Sequence, residues 1–270
     1  MKERLDIILK EKGFFPTEEK AQAAIMEGIV YVDGQKVDKA GTPVKDTADI
    51  CIKDDRCPYV SRGGFKLEKA VNQFGIDLKG CICTDIGAST GGFTDFMLKN
   101  GAEKVYAIDV GYGQLDYKLR TDPRVVNMEK TNIRHLDVSL IKDAIDFISI
   151  DVSFISLKLV LPVASAILKD GGSIICLVKP QFEAERDQVG RKGIVRDRNV
   201  HEEVLVKAVS YGRDNGLSVS GITFSPITGA KGNIEYLVHF IRSDAVKSDT
   251  EIYEDIKDTV SESHDTLEKI

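Results

Sequence analysis

Along the first 53 residues the apolar positions follow helical spacing and then strand spacing. A first helix is predicted before Gly13, and a second runs from the N-cap residue Thr17 to Gly28. Beyond Gly28, short extended segments surround the turn Asp33-Gly34, which favours a hairpin. The buried helical faces are predicted to comprise Leu5, Ile8, Leu9, Ala21, Ala24 and Ile25. This pattern predicts a small α+β domain.

From Arg62 to Arg242 the pattern changes to strand, glycine-containing turn and helix, repeated several times. Strands are predicted at 82–85, 105–108, 125–127, 147–151, 174–178, 217–224 and 235–240. Such alternation is typical of a parallel sheet with crossover helices. This part of the chain is therefore predicted to be an α/β domain.

The segments outside these domains differ in composition. Residues 54–61 contain two aspartates, a proline and an aromatic residue, which indicates a linker. The acidic C-terminal end places Ile252, Ile256 and Val260 at i, i+4 and i+8, which predicts one weak amphipathic helix. The expected organisation is a small domain at 1–53, a linker at 54–61, an α/β domain at 62–242 and an acidic tail at 243–270.

Composition narrows the class of protein. The 270 residues are 42% hydrophobic and 30% charged, as in ordinary soluble globular proteins. The apolar run Ile155 to Leu168 is shorter than the roughly 20 residues that a membrane-spanning helix needs, and the charged N-terminus does not resemble a secretory signal. The five cysteines have no CxxC spacing, so we expect neither a disulfide framework nor a metal site. We expect a cytoplasmic protein, monomeric or weakly homo-oligomeric, with no membrane partner.

The net charge of −6 is concentrated at one end of the chain. Residues 243–270 hold nine acidic residues against three lysines, and the remaining 242 residues hold 34 acidic and 34 basic residues. The body is therefore neutral, and bulk charge does not exclude a nucleic-acid partner.

A glycine-rich segment at 85–95, DIGASTGGFTD, follows a predicted strand and leads into a helix. Glycine lets the backbone approach a ligand, and the start of the helix presents free amides. Ala88 and Ser89 stand where the dinucleotide fingerprint GxGxxG would require a glycine. Asp109 ends the next strand, about twenty residues on, where a carboxylate accepts hydrogen bonds from a ribose diol. The pattern indicates a nucleoside-type cofactor; the alternative is a tight turn with a surface aspartate.

Several motifs resemble one family. The segments YVSRGGFKL, DIGASTGGFTD, AIDVGYGQL, DVSFIS, LVKPQFE and GNIEY closely resemble the TlyA group of ribosomal RNA methyltransferases, also called haemolysin A, and the resemblance extends to about Arg242. It implies an RNA-binding domain of the ribosomal-protein-S-four (alpha-L) type, followed by an FtsJ-like, Rossmann-like class I methyltransferase domain. One difference is Thr17-Glu18, where the family's small domain usually has Ser-Arg.

The resemblance also implies the cofactor, S-adenosyl-L-methionine. Asn132 lies in the turn after the third predicted strand, where such folds contact the adenine. The candidate cofactor-binding residues are Asp85, Gly87, Ala88, Ser89, Thr90, Gly91, Gly92, Phe93, Asp109 and Asn132.

The candidate catalytic residues come from the same resemblance, because FtsJ-like enzymes use two lysines, an aspartate and a glutamate. The matching positions are Lys66 in SRGGFKL, Asp151 in DVSF, Lys179 in LVKPQ and Glu235 in GNIEY. Asp151 and Lys179 both follow predicted parallel strands, at the edge where open α/β sheets build their sites. We expect Lys179 to orient a ribose hydroxyl or take its proton, helped by the nearby charge of Lys66, while the two carboxylates position the lysines. Taken singly, each residue could instead be a solvated lysine or a helix-capping acid.

Two further features have open interpretations. Phe154 would stack on a base or on the cofactor, or belong to the core. The segment from Glu185 to Arg198 is rich in arginine and lysine, and would form either a mobile basic flap that grips phosphates or a solvated loop.

The predicted function is methylation of a ribose 2'-hydroxyl, implied by the resemblance to be that of a cytidine in 16S or 23S rRNA, with rRNA or ribosomal subunits as partners. An amino-methylating enzyme would carry Asn/Asp-Pro-Pro-aromatic after the fourth strand, where this chain has Asp151-Val-Ser-Phe154. A carbon-five cytosine enzyme needs a nucleophilic cysteine there. The alternatives from other classes are a non-catalytic RNA-binding or ribosome-assembly protein and a lytic membrane protein.

Overall fold

The computed structural model describes residues 2–26, 28–45, 47–52, 57–243 and 247–267. The chain forms two compact units, residues 1–58 and 59–270. Within the predicted linker, residues 54–56 lie outside the described residues, as do Asp244 and Glu268 of the acidic tail.

The first unit contains two helices and short antiparallel strands. The helices are α1 (Leu5–Glu11) and α2 (Glu18–Met26), and the strands are β1 (Lys2–Arg4), β2 (Val30–Val32), β3 (Gln35–Lys36), β4 (Pro43–Lys45) and β5 (Ile50–Ile52). Strand β1 pairs with β4, and β2 pairs with both β3 and β5. The six apolar residues predicted to form the helical faces are buried together, which confirms the helical spacing.

The second unit is built on a seven-stranded sheet in the order β11-β12-β10-β9-β6-β7-β8. The strands are β6 (Ile82–Ile86), β7 (Lys104–Ile108), β8 (Val125–Met128), β9 (Ile145–Ile150), β10 (Leu168–Val178), β11 (Ser218–Phe224) and β12 (Tyr236–Ile241). All seven predicted strands are therefore confirmed, although β10 begins six residues before the predicted start at 174.

The prediction of a parallel sheet is wrong for the last strand. β12 runs antiparallel to both β10 and β11, between which it lies. Residues 225–235, which join β11 to β12, contain no crossover α-helix, and a direct return of this kind requires antiparallel pairing. As a result, the residue before β12 lies at the same edge of the sheet as the residues that follow β9 and β10.

Helices cover both faces of this sheet. They are α3 (Gly64–Phe74), α4 (Gly92–Lys99), α5 (Tyr117–Arg120), α6 (Leu161–Ile167), α7 (Pro180–Glu183), α8 (Arg198–Arg213) and α9 (Asp249–Leu267). Leu161 and Val204 pack with Ile148 in one apolar cluster, whereas Leu67 and Phe96 pack with the neighbouring strand residue Phe147 in the other. Side chains of β9 thus alternate between two cores.

The C-terminal helix is part of the second unit. Ile252, Ile256 and Val260 are buried in the same cluster as residues of α8 and β11. The predicted amphipathic helix is therefore confirmed, and its apolar stripe packs on the sheet domain. Among the helices of the described residues, none has the length and apolarity needed to cross a membrane.

Candidate functional site

Four side chains from distant parts of the sequence meet at one edge of the sheet. Asp151 follows β9 and Lys179 follows β10, both at carboxyl ends of parallel strands. Glu235 reaches the same edge because it directly precedes the antiparallel strand β12. Lys66 is supplied by the first turn of α3. All four predicted catalytic residues are thus brought to one place.

These residues form two lysine–carboxylate pairs. Nζ of Lys66 lies 2.6 Å from Oε2 of Glu235, and the two residues are only 9% and 2% exposed. Nζ of Lys179 lies 2.5 Å from Oδ1 of Asp151 and also donates a hydrogen bond of 3.0 Å to Oγ of Ser153. Charge-assisted contacts of this length hold both ammonium groups in fixed positions.

The pairing decides the charge of Lys66. Burial by itself lowers the pKa of a lysine, but the negative charges of Asp151 and Glu235 outweigh burial here and raise the pKa of Lys66 above its ordinary value. Lys66 therefore remains an ammonium ion at neutral pH and acts by its charge and its hydrogen bonds.

The glycine-rich turn lies directly against this group of residues. Gly87 has a positive φ of 87°, and a Cβ atom built on it would lie 2.3 Å from the carbonyl oxygen of Asp151. Only glycine satisfies both conditions. The amides of Gly87 and Ala88 both donate to the carbonyl of Ile108, which joins the turn to the end of β7.

A cavity of about 640 Å³ opens beside the turn. Five predicted site residues line it: Gly87, Ser89, Asp109, Asn132 and Asp151. Its lining also includes Gly111, Gln114, Thr131, Arg134, Ser153 and Phe154. Of this second group, only Phe154 was singled out from the sequence, although the others lie within five residues of a predicted site residue and sequence proximity could have found them.

Asp109 is fixed by the backbone around it. Its Oδ2 accepts a hydrogen bond of 2.8 Å from the amide of Ser89, and its Oδ1 accepts one of 2.7 Å from the amide of Gly111. A carboxylate can accept about four hydrogen bonds, so acceptor capacity remains on the cavity side. Asn132 is similarly held, with its side-chain oxygen accepting from the amide of Arg134 at 3.1 Å.

The other predicted cofactor-binding residues of the glycine-rich motif are not among the residues that line the cavity. Cβ atoms on Gly91 and Gly92 would clash with Leu119 and Ser61, so these glycines allow close packing around α4. Phe93 is a core residue, Ala88 is buried, and Thr90 is exposed and accepts a hydrogen bond from the amide of Asp116. The predicted cofactor contacts of Ala88, Thr90, Gly91, Gly92 and Phe93 therefore remain predictions, because these residues are not among those that line the cavity.

Asp85 lies behind the cavity rather than in it. It is 1% exposed, and its carboxylate accepts hydrogen bonds from the amide and hydroxyl of Thr94 and from the hydroxyl of Ser149. Burial raises the pKa of Asp85 to about 7, against the opposing effect of these hydrogen bonds. Asp85 thus supports the start of α4.

The raised pKa of Asp85 predicts a pH-dependent stability. Since this pKa is about 7 in the folded chain and about 3.9 in an unfolded one, the stabilising contribution is complete below about pH 4 and is lost as pH rises through 7. Asp85→Asn should remove this component, on the order of 3 kcal/mol or less, from the unfolding free energy measured between pH 5 and 8. Asp137→Asn, at an exposed turn, is the control. An unaltered pH dependence in Asp85→Asn would show that Asp85 is ionised throughout.

Phe154 stands at the rim of the cavity. It is 90% exposed, which rules out the alternative of a core aromatic, and its φ of 62° is rare outside glycine. Its ring contacts that of Phe182, with centroids 4.9 Å apart. Glu183 accepts hydrogen bonds from the hydroxyl of Ser156 and the amide of Leu157, which ties the segment after β10 to the segment after β9.

No group of three or more potential metal ligands occurs in the part of the chain that the structure describes. Cys57, Cys81, Cys83 and Cys176 are free thiols, and burial raises the pKa of Cys83 and Cys176. None of the residues described as lining the cavity is a cysteine.

Comparisons with known proteins agree on both units. The family FtsJ-like methyltransferase matches residues 59–242, and the S4 domain matches residues 3–50. YqxC of Bacillus subtilis (strain 168) is 48% identical over 99% of this chain and 96% of its own length. The 16S/23S rRNA (cytidine-2'-O)-methyltransferase TlyA of Mycobacterium tuberculosis is 40% identical over 87% of this chain and 88% of its own. A solved structure from Streptococcus thermophilus has 46% identity and a TM-score of 0.83, covering 99% of this chain and 98% of that one.

Proposed function

This chain belongs to the TlyA group of the FtsJ-like methyltransferases, and we propose that it transfers the methyl group of S-adenosylmethionine to the ribose 2'-hydroxyl of a cytidine in ribosomal RNA. The S4 domain at 3–50 supports an RNA substrate, and the identity with TlyA supports 16S or 23S rRNA as that RNA. Such a function requires access to ribosomes and hence a cytoplasmic location.

The observation that carries this proposal is the pair of lysine–carboxylate contacts beside the cavity. Lys179 contacts Asp151 and Ser153, which line the cavity, and Lys66 is held by Glu235; both lysines are only 9% exposed. A ribose hydroxyl is a poor nucleophile, so its enzyme must fix the oxygen and assist removal of its proton. A protein that only binds RNA has no need of two buried ammonium groups with such fixed partners.

The cavity suits S-adenosylmethionine in size and in chemistry. Its volume of about 640 Å³ lies within the range of about 300 to 1,000 Å³ for cofactor sites. Asp109 retains acceptor capacity for the ribose diol, Asn132 of the cavity lining would contact the adenine, and Gly87 would let the ligand approach the backbone. When bound, the cofactor supplies an electrophilic methyl group on a sulfonium centre.

The residues of this chain would then act on the acceptor hydroxyl. Lys179 Nζ, directed by Asp151 and Ser153, would hold the 2'-oxygen in line as a hydrogen-bond donor, or, as the neutral amine after releasing its own proton to solvent, would receive the proton of the hydroxyl. The proton would then be stabilised on Nζ by the carboxylate of Asp151. Lys66 would contribute a fixed positive charge that favours the developing alkoxide. The exposed ring of Phe154 would stack on the target base.

The reaction is tested directly with purified protein, tritiated S-adenosylmethionine and ribosomal subunits from cells that lack this gene. We expect label in one or a few rRNA nucleotides, and digestion followed by mass spectrometry should find one added methyl group on the ribose of a cytidine. Label on a base, or none with any subunit, would contradict the proposed function.

Asp109→Ala should weaken binding of S-adenosylmethionine by a few tens-fold. The reason is the loss of a charge-assisted hydrogen bond to the ribose, worth about 1.5 to 3 kcal/mol. Calorimetric titration measures the change, and circular dichroism checks that losing the bonds from Ser89 and Gly111 leaves the fold intact. Asp137→Ala removes a similar backbone-capping aspartate outside the cavity and should bind normally. Unaltered affinity in Asp109→Ala would exclude the ribose assignment.

Removal of residues 1–58 should separate cofactor binding from RNA recognition. The remaining unit contains the whole FtsJ-like match and should bind S-adenosylmethionine as the full chain does. Methyl transfer to ribosomal subunits should fall by more than about tenfold at limiting substrate, because phosphate contacts supply much of the affinity for RNA. If the shortened protein keeps full activity on subunits, the S4 domain is not the RNA anchor.

A further inference from the structure

A cationic loop borders the edge of the sheet that carries the lysine–carboxylate pairs. It spans residues 185–197, between α7 and α8, and begins six residues after Lys179. Its tip is closed by two backbone hydrogen bonds, from the amide of Gly190 to the carbonyl of Ile194 at 3.1 Å and from the amide of Gly193 to the carbonyl of Gly190 at 2.7 Å. The loop therefore has a defined turn at 190–194.

A buried asparagine anchors this loop beside the site. Asn233 is 2% exposed; its Oδ1 accepts a hydrogen bond of 3.1 Å from the amide of Val195, and its Nδ2 donates one of 3.0 Å to the carbonyl of Gly193. Asn233 precedes Glu235 by two residues. The loop is thus bonded to the segment that delivers Glu235 to the edge of the sheet.

The charges of the loop are unevenly compensated. Arg191, Lys192 and Arg196 are exposed, and none of them forms an ion pair with a carboxylate of the described residues. The neighbouring Glu185 is paired with Lys207 of α8, and Asp197 caps α8 through the amide of Asn199. Glu185 is therefore engaged away from the loop cations, whereas Asp197 lines the same concave surface as they do, so that three cations face one acid there.

Several cations elsewhere on this unit are paired with carboxylates. Lys104 pairs with Asp143, and Arg124 pairs with Asp122. The three loop cations, by contrast, line a concave surface that encloses a cavity of about 340 Å³. A concave group of uncompensated arginine and lysine side chains fits a polyanion, because guanidinium and ammonium groups bind phosphate oxygens well.

We propose that Arg191, Lys192 and Arg196 bind backbone phosphates of the RNA strand next to the target nucleotide. This inference rests on the proposed function for the identity of the polyanion. Phosphate contacts set the position of an RNA without reading its sequence. Because Asn233 bonds the loop to the segment that contains Glu235, an RNA strand bound to the loop would be held at a fixed position relative to Glu235 and the paired lysines. The methyltransferase unit would then grip RNA itself, independently of the S4 domain.

The test compares two triple variants that remove the same charge. Arg191→Ala/Lys192→Ala/Arg196→Ala removes the loop cations, and Lys79→Ala/Lys142→Ala/Lys169→Ala removes three exposed lysines at the amino-terminal edge of the sheet. Dissociation constants for in vitro transcribed 16S and 23S rRNA are measured from 50 to 200 mM KCl. Loss of three phosphate contacts should weaken binding on the order of tenfold or more and flatten the salt slope by about 2. The KM for rRNA should rise more than kcat falls.

The control triple should keep the affinity and the salt slope of the natural protein. Equal behaviour of the two triples would overturn the proposal. So would a loss seen only with intact ribosomal subunits and not with naked rRNA, because the loop would then contact a ribosomal protein. If the loop triple loses naked-rRNA affinity while the natural protein methylates no ribose, the loop assignment stands and the proposed function fails, so the two failures are distinguishable.

Discussion

Lys179→Ala should lower turnover by about 10² or more while leaving the affinity for S-adenosylmethionine nearly unchanged. Nζ of Lys179 is fixed at the cavity edge by Asp151 at 2.5 Å and Ser153 at 3.0 Å. The substitution removes the one amine that orients the 2'-hydroxyl and that would receive the proton of this hydroxyl. Turnover is measured with saturating ribosomal subunits and tritiated cofactor, and cofactor affinity by calorimetry.

The same two strands contain a matched control. Lys169 of β10 pairs with Asp146 of β9 at the opposite end, as Lys179 pairs with Asp151. Lys169→Ala therefore removes an equivalent strand-to-strand ion pair far from the cavity, and turnover should remain within about twofold of the natural protein, since exposed pairs contribute little to stability. A similar loss of turnover in both variants would mean that the Lys179 effect comes from weakened strand pairing, not from chemistry.

The sequence predicted the positions of the catalytic candidates better than their partners. Lys179 and Asp151 could be placed at one edge because each follows a strand in a repeating parallel pattern. The contact between Lys66 and Glu235 joins residues 169 positions apart and depends on β12 running antiparallel between β10 and β11. Strand order and direction are tertiary properties, and apolar periodicity does not contain them.

The glycine-rich motif illustrates a second limit. The sequence predicted a ligand-binding turn, and Gly87 and Ser89 of this turn line the cavity. The same motif also makes the start of α4, so Asp85, Gly91, Gly92 and Phe93 serve packing and capping instead. The sequence alone does not show which residues of the motif face the ligand and which support α4, because neighbouring side chains at a strand-to-helix turn point in different directions.

The acidic C-terminal tail shows that the net charge of a segment does not reveal how tightly its apolar residues pack. The apolar spacing predicted a weak amphipathic helix, the described acidic residues of the tail are exposed or half-buried, and Ile252, Ile256 and Val260 are each at most 4% exposed. Burial of three such side chains is worth several kcal/mol by the usual estimate of about 1.5 to 3 kcal/mol each. Net charge describes the surface of that helix, whereas the spacing of its apolar residues decides where it lies.

A substrate that lacks the acceptor oxygen should receive no methyl group. Once the modified cytidine is mapped, a ribosomal subunit can be reconstituted with rRNA that carries a single 2'-deoxycytidine at that position. Since the proposed role of Lys179 and Asp151 is to activate the 2'-hydroxyl, transfer of tritiated methyl to this subunit should fall to background. The base, with its exocyclic amine and ring carbons, remains intact in the deoxy substrate.

The matched control is the same subunit with 2'-deoxycytidine at a neighbouring position, which should be methylated normally and exclude a general defect of reconstitution. Binding of both subunits is compared as well, because a lost acceptor affects transfer, whereas a lost RNA contact affects affinity. Normal methylation of the deoxy target would identify a base atom as the acceptor. The two lysine–carboxylate pairs would then hold the RNA in place, and proton removal from a ribose would have no part in the reaction.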